Sequence, residues 1–435
     1  MFDLVIFAEK KQSQTLQRSI LGIPLFERVA RRLTRNGAER IVLVGDINTS
    51  ELLNLSSVSA LNGEMSISRG LPDFQLIPPK SGKVIFWESN LIADNTLVES
   101  LIEQSSAEGC PVFATSERCP ETPVAMAVPV EALETLENSR CIKNVAELAE
   151  QLKTSPRPPS PIKSKPEFAI MDNESKAQRN IEDALLNELR KPMEVDGFLG
   201  ALVYRIFSLP ISRRISKLPI TPNHVTALAL ILGLCGAGAM ASGTELGFLL
   251  GALLLQLGAV IDCVDGEIAR LKYLGSLEGA WFDTVADDIV NNSFILGTGI
   301  GLARYHHEAW PLLVAVLAVL TIIPGLSFLY RGLLEQGSGD LCDFDWKSED
   351  TEKKQSSGLQ GQIANGVKYL VKRDVYVTLF LVAVLAGVPE FIPVAGFIGA
   401  LGFSITVARE AQFRRANTPP RSPSRVSNTQ SQATS

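Results

Sequence analysis

From about residue 200 onward the chain becomes a series of apolar runs, and nothing else in it restricts the backbone so strongly. They lie near Val225 to Ala241, Leu246 to Ile261, Phe282 to Ala303, Trp310 to Leu329, Val375 to Val388 and Phe391 to Val407. A bilayer interior offers peptide groups no water, so only helices and closed barrels cross it, and a helix needs about 20 apolar residues to do so. Two of the runs are short or interrupted. The pattern therefore predicts an α-helical polytopic membrane domain of about six transmembrane helices.

Two neighbouring runs carry acids. DCVDGEIAR closes one and GAWFDTVAD opens the next, which sets Asp262 with Asp265, and Asp283 with Asp287, three and four residues apart on one helix face each. An ionised carboxylate at the centre of a membrane helix costs roughly 2.5 to 3.5 kcal/mol on insertion scales. Cations must offset four of them, and the neighbouring runs supply no basic partner. Hard divalent ions such as Mg2+ or Mn2+ take carboxylate oxygens, and two ions about 3.5 to 4 Å apart would clamp a phosphoryl group. Gly266, Gly279 and Ala269 leave the helix faces open to close approach, with Arg270 placed to meet phosphate. A proton relay in a transporter, or a satisfied polar network, is the competing reading.

DxxDGxxAR, eight residues, then GxxxDxxxD resembles the signature of the CDP-alcohol phosphotransferases, and every fixed position is present. The resemblance implies a six-helix membrane enzyme that cleaves a CDP-linked donor, moves its phosphoalcohol part to an acceptor hydroxyl and releases CMP. It makes Asp262, Asp265, Asp283 and Asp287 the ligands of a two-metal site, with Asp287 taking the acceptor's proton. It also gives Gly266, Ala269, Arg270 and Gly279 to the CDP pocket. Asp288 and Glu267 fall outside the pattern and read as solvated or structural.

The segment from KP through VDG to TPNHVT resembles the inositol phosphate branch of that family in order and spacing. Thr221 suits a helix cap and Pro222 the first helical position, and Asn223 is then either structural or part of the CDP pocket. RDVYV resembles the same branch, in which Arg373 would receive a phosphorylated acceptor such as inositol phosphate; its planar fork suits phosphate. A homodimer is expected from the family. Membrane lipids are expected partners and nucleic acid is not.

Arg213, Arg214, Lys217, Arg270, Lys272, Arg331, Lys368, Lys372, Arg373, Arg409, Arg414 and Arg415 fall on one side by alternation, against Arg304 on the other. That bias puts both termini and the aspartates in the cytoplasm, the protein being multi-pass in the cell (inner) membrane. Phe198 to Phe207 form an apolar stripe read as an interfacial helix on the cytoplasmic leaflet, with an ordinary core helix as the alternative. The stretch 331 to 374 reads as a solvated loop. The six cysteines and three histidines show no metal spacing.

Residues 1–154 read as a small α/β Rossmann-like soluble domain: a strand at Leu4 to Ala8, a helix at Pro24 to Arg35 stopped by Asn36 and Gly37, and strands at ERIVLVGD and KVIFWESN. GIPLFERVARRLTRNGAERIVLVGD is similar to the sugar nucleotidyltransferases. A glycine-rich phosphate loop would be needed after the first strand, where Ala8, Glu9, Lys10, Lys11, Gln12 and Ser13 stand. A metal-binding aspartate is replaced by Trp87, Glu88, Ser89 and Asn90, with Asp46 and Asp172 as candidate remnants. The domain is expected to be degenerate, docking or regulating. The alternative is a bifunctional enzyme that also makes the CDP-alcohol from CTP. Residues 155–195 are a proline-rich linker and helix, 196–415 the phosphotransferase domain, and 416–435 a disordered tail.

Overall fold

The computed structural model describes residues 2–8, 18–45, 64–68, 82–93, 95–116, 119–133, 136, 142–162, 168–170, 175–190, 203–346 and 373–417. By internal contacts the chain divides into two compact units. One is Met1–Pro192 with Arg205–Pro222 and Val264–Leu274; the other is Met193–Tyr204, Asn223–Cys263 and Gly275–Ser435.

The first unit is built on a seven-stranded sheet: β1 (Phe2–Phe7), β2 (Ala38–Val44), β3 (Glu64–Ser68), β4 (Lys83–Glu88), β5 (Val112–Ser116), β6 (Cys119–Pro129) and β7 (Ser160–Pro161), in the spatial order β7-β5-β6-β4-β1-β2-β3. Strands β4, β1, β2 and β3 run parallel, and β6 is antiparallel to both β4 and β5. Every residue of β1 is buried, as a central parallel strand covered on both faces requires. Its alternation divides the core. Phe2, Leu4 and Ile6 join the cluster that holds α1 (Leu25–Arg35), α2 (Asn95–Glu108) and α4 (Ser175–Glu188), while Val5 and Phe7 join α3 (Val145–Leu152).

The expected helix over 24–35 begins one residue later, Asn36 caps it, and Gly37 takes φ +101°, a backbone conformation that suits glycine. Within the proline-rich stretch, Ser160 and Pro161 are extended and docked. Ser160 N–H donates to Pro111 O and Ile162 N–H to Phe113 O, so the stretch supplies the outermost strand. Glu9 to Ser13, Asp46, Asp172, residues 163–166 and the tail from 418 lie outside the described residues.

Helix α5 (Arg205–Ile215) also belongs to this unit. Arg205, Ser208, Leu209 and Ser212 are its buried residues, and Ile206 and Phe207 are exposed, so three polar side chains turn inward and two large apolar ones outward. An ordinary core helix would do the reverse. Residues 198–202 of the expected stripe lie outside the described residues.

The second unit is helical. Among the described residues four helices are long and apolar enough to cross a membrane: α6 (Pro222–Ala241), α7 (Glu245–Leu271), α9 (Trp310–Gln336) and α11 (Phe391–Asn417). Helix α8 (Leu277–His306) has the length, but its first turns carry acids; α10 (Arg373–Leu385) has 13 described residues, about 20 Å at 1.5 Å each. Small residues bring α6 against α8. A Cβ on Gly297 would meet Ala237 O at 2.3 Å and one on Gly301 would meet Met240 O at 2.0 Å, so no larger residue fits either place. Large apolar side chains such as Leu313, Leu320 and Ile398 stay exposed, as they would against lipid.

The stretch expected to be a solvated loop begins with packed structure instead. Gly337 ends α9 in the left-handed conformation, and the chain returns so that Phe344 is buried on Leu329 and Leu333.

Candidate active site

Asp262 and Asp265 stand on consecutive turns of α7, whose apolar first half runs unbroken into DCVDGEIAR. Gly266 does not stop the helix. Tyr273 does: it takes φ +56°, and Leu274 N–H closes on Ala269 O at 2.9 Å. Ser276 then caps α8, accepting from Gly279 N–H at 3.0 Å, and Asp283 and Asp287 follow one and two turns on. Asp262, Asp265 and Asp283 each offer a carboxylate oxygen, and these oxygens lie within 4.8 Å of one another. Three hard oxygen donors at that spacing fit an ion such as Mg2+ or Mn2+.

Asp287 joins the group through Arg373, the first residue of α10. One guanidinium nitrogen, Nη1, donates to Asp262 Oδ2 at 2.6 Å and to Asp287 Oδ2 at 2.5 Å. The expectation covered the neighbouring runs alone, and Arg373 lies outside them. The partner comes from a helix more than 80 residues further along the chain, where neighbouring apolar runs give no sign of it. Arg373 therefore contacts two of the aspartates directly.

Asn223 lies at the exposed start of α6, and a Cβ on Gly279 would meet its Oδ1 at 3.2 Å, so these two expected pocket residues are neighbours. A Cβ on Gly266 would meet Arg270 Nη1 at 3.4 Å, so the arginine folds back along α7 over the glycine. Ala269 is half-buried beside them in sequence.

The partners of several polar groups escaped the sequence reading. Glu267 is fully buried, and its carboxylate receives Arg205 together with Ser208 Oγ at 2.6 Å and Ser212 Oγ at 2.5 Å, which settles it as structural. Asp288 accepts from Tyr330 Oη at 2.5 Å, so it too is held rather than solvated. Tyr204 Oη receives Gln256 Nε2 at 3.0 Å and lies 3.3 Å from both Asp374 O and Thr378 Oγ1. These partners are 42 to 174 residues apart, a separation that no local spacing encodes. The one available signal was the period of Arg205, Ser208 and Ser212, polar positions recurring along one helix face. Just past the end of α7, Lys272 donates to Leu218 O at 2.5 Å and Ile220 O at 2.9 Å, and burial lowers its pKa from the usual lysine value.

Residues 219–336 match the family model for CDP-alcohol phosphatidyltransferase. The bifunctional IPC transferase and DIPP synthase of Aquifex aeolicus is 32% identical over 128 residues, 29% of this chain and 27% of that protein. The phosphatidylinositol phosphate synthase of Mycobacterium tuberculosis is 26% identical over 132 residues, 30% of this chain and 59% of that one. The chain thus spans from about a quarter to three fifths of the length of these relatives. The crystal structure of the M. tuberculosis phosphatidylinositol phosphate synthase with CDP-DAG bound aligns with a TM-score of 0.34 and 18% identity, covering 48% of this chain and 92% of that one. A score of that size does not establish a common fold.

Proposed function

We propose, on the premise that residues 219–336 are a CDP-alcohol phosphatidyltransferase domain, that this protein is an integral membrane phosphotransferase. It cleaves a CDP-linked donor, passes the phosphatidyl or phosphoinositol group to an acceptor hydroxyl and releases CMP, in phospholipid or inositol phosphate biosynthesis. The observation that carries this is the meeting of three carboxylates, from two successive helices of the matched segment, within 4.8 Å.

Asp262, Asp265, Asp283 and Asp287 are the metal ligands of this reading, two Mg2+ or Mn2+ ions being the expected complement. When bound, such ions neutralise charge on the donor's diphosphate. Gly266 and Gly279 keep the helix faces bare where the CDP group approaches, Ala269 adds only a methyl, Arg270 answers a phosphate and Asn223 borders the same pocket. Asp287 accepts the acceptor's hydroxyl proton at a carboxylate oxygen. Arg373, 2.5 Å from Asp287, would bind a phosphate carried by the acceptor and so bring its hydroxyl within reach of that base.

The reading includes six spans, with α8 and α10 added to the four long apolar helices, residues 196–415 as the membrane domain, a cell-membrane location, a cytoplasmic active site and a homodimer. It is tested by incubating the detergent-solubilised protein with CDP-diacylglycerol, inositol phosphate and Mg2+ or Mn2+. CMP release that stops on chelation is expected; release unaffected by chelation, or none with any CDP-alcohol, would sink it.

A second reading adds cytidylyl transfer by the sheet domain, residues 1–154. In its favour are the parallel β4-β1-β2-β3 core and the double activity in the name of the Aquifex relative. Against it, Glu88, where a metal ligand would be needed, accepts from Val145 N–H at 2.8 Å. Formation of a CDP-alcohol from CTP by the full chain would decide for it, and none would leave a degenerate domain.

A further inference from the structure

We propose that a cavity of about 210 Å³ in the first unit, lined by Arg28, Arg32, Arg35 and Glu188 with Arg270 and Tyr273, binds a small phosphate-bearing anion. Arg28, Arg32 and Arg35 recur at four and three residues on α1, so they share one face of that helix. Arg28 is 1% exposed and Arg32 is 9% exposed. Buried cations of like sign one turn apart repel one another, and burial pushes the Arg28 guanidinium below the usual arginine range. Among the described residues the lining holds the three guanidiniums of α1, and Arg270, which the proposed function gives to the CDP pocket, against one carboxylate, that of Glu188, which Arg32 Nη2 meets at 2.5 Å.

The guanidiniums are held in position. Arg28 donates from Nη1 to Leu271 O at 2.9 Å and from Nη2 to Ile20 O at 2.8 Å, and its Nε–H meets no acceptor among the described residues. Arg35 lies over the Tyr273 ring, 4.8 Å from its centroid. Planar forks fixed by other contacts lose little freedom on gripping a phosphate, which is where arginine surpasses lysine. At about 30 Å³ per water the cavity has room for on the order of seven waters, enough for a diphosphate or a phosphorylated polyol. None of the four aspartates of the candidate active site lines it. Because Arg28 holds the last carbonyl of α7, an anion bound here would tie α1 to the end of the helix that carries Asp262 and Asp265, a position suited to regulation.

The phosphate could be carried by a soluble metabolite or by a lipid headgroup, and the test separates them. Inorganic pyrophosphate is titrated calorimetrically into the full-length protein in neutral detergent with EDTA, so that no divalent ion bridges the probe to the aspartates. Saturable 1:1 binding that weakens with salt is expected. Arg35→Gln, at an exposed position, should weaken it about tenfold, the worth of one charge-assisted contact. Glu188→Gln should tighten it, since it removes the carboxylate that holds Arg32; a site serving only to hold the fold would not gain affinity. Displacement of pyrophosphate by micelles containing an anionic phospholipid points to a headgroup, and displacement by soluble inositol phosphate or CTP alone points to a metabolite. Absence of saturable binding at millimolar pyrophosphate, or two variants that bind as the parent does, would overturn the proposal. No step of this test depends on CMP release.

Discussion

Helix α7 carries two acid–arginine clusters five residues apart, and they are built oppositely. At Glu267 the carboxylate is fully buried and receives Arg205, Ser208 and Ser212 across its two oxygens, so the acid is enclosed and a ligand has no access to it. At Asp262 a single nitrogen of Arg373 is shared with Asp287, and the side chains of Asp262, Asp287 and Arg373 keep 20%, 26% and 22% exposure. A saturated, dry pair fixes a helix; a shared, partly open one leaves oxygens for a cation or a phosphate. The same residue types on the same helix thus divide into structure and chemistry by saturation and access alone.

The largest expected effect lies on the open side. Asp262→Asn, Asp265→Asn or Asp283→Asn each removes one charged donor, and CMP release should fall about a thousandfold, about 4 kcal/mol of barrier, with thermal unfolding little changed. Retained activity in any of the three would erase the distinction between the clusters. On the closed side the signs exchange. Glu267→Ala leaves Arg205 buried without its acid and should cost about 3 to 4 kcal/mol of stability, read as a lower midpoint of thermal unfolding. Activity per folded molecule should survive. If it vanished while the midpoint held, Glu267 would belong to the chemistry.

Arg373 is the residue on which the comparison is sharpest. Arg373→Ala should raise the acceptor's Michaelis constant by roughly ten- to a hundredfold, the worth of about 1.5 to 3 kcal/mol for a charge-assisted phosphate contact. The constant for the CDP donor should barely move, and Arg373→Lys should recover only part of the loss. Because the same guanidinium bridges Asp262 and Asp287, a competing outcome is clear: lower affinity for donor and acceptor together would make it the cluster's countercharge.

Much of this was legible before any coordinates, and the reasons are local. Period and punctuation announced β1, α1 with its Asn36–Gly37 stop, β2 and β4, because strand and helix patterns and caps are encoded within ten residues or so. The aspartates could be paired because three and four residues are helical neighbours. Arg373 beside Asp262, or Tyr330 beside Asp288, was not legible, since those contacts depend on how helices pack, and packing is set by places such as Gly297 and Gly301 where backbones touch. Whether Glu267 is solvated or structural, the two readings left open for it, was not legible for a related reason: being off the acidic motif says nothing about which neighbour a side chain meets. The docking of Ser160–Pro161 against β5 shows the limit of composition, since prolines predict extension but not a partner strand.

The smallest effect concerns a third acid, one that lies between these extremes. Glu182 on α4 is nearly buried, which by itself raises its pKa, yet hydrogen bonds from Lys217 at 3.2 Å and from Arg213 Nε at 3.0 Å outweigh burial and leave it below the usual glutamate value. A depressed carboxylate pKa means the unfolded chain takes up this proton first as the pH falls. The stabilisation is therefore fully present above the unfolded glutamate pKa, about 4.3, and is lost as the pH drops through the lower folded value. Both cations are partly exposed, so solvent and salt screen the gain to a modest size. The unfolding midpoint of the parent protein should decline below about pH 4.3 by slightly more than that of Glu182→Gln, and the difference should shrink in high salt. Equal slopes in the two proteins would show that Glu182 is held by packing and not by charge, which would move it to the saturated side with Glu267.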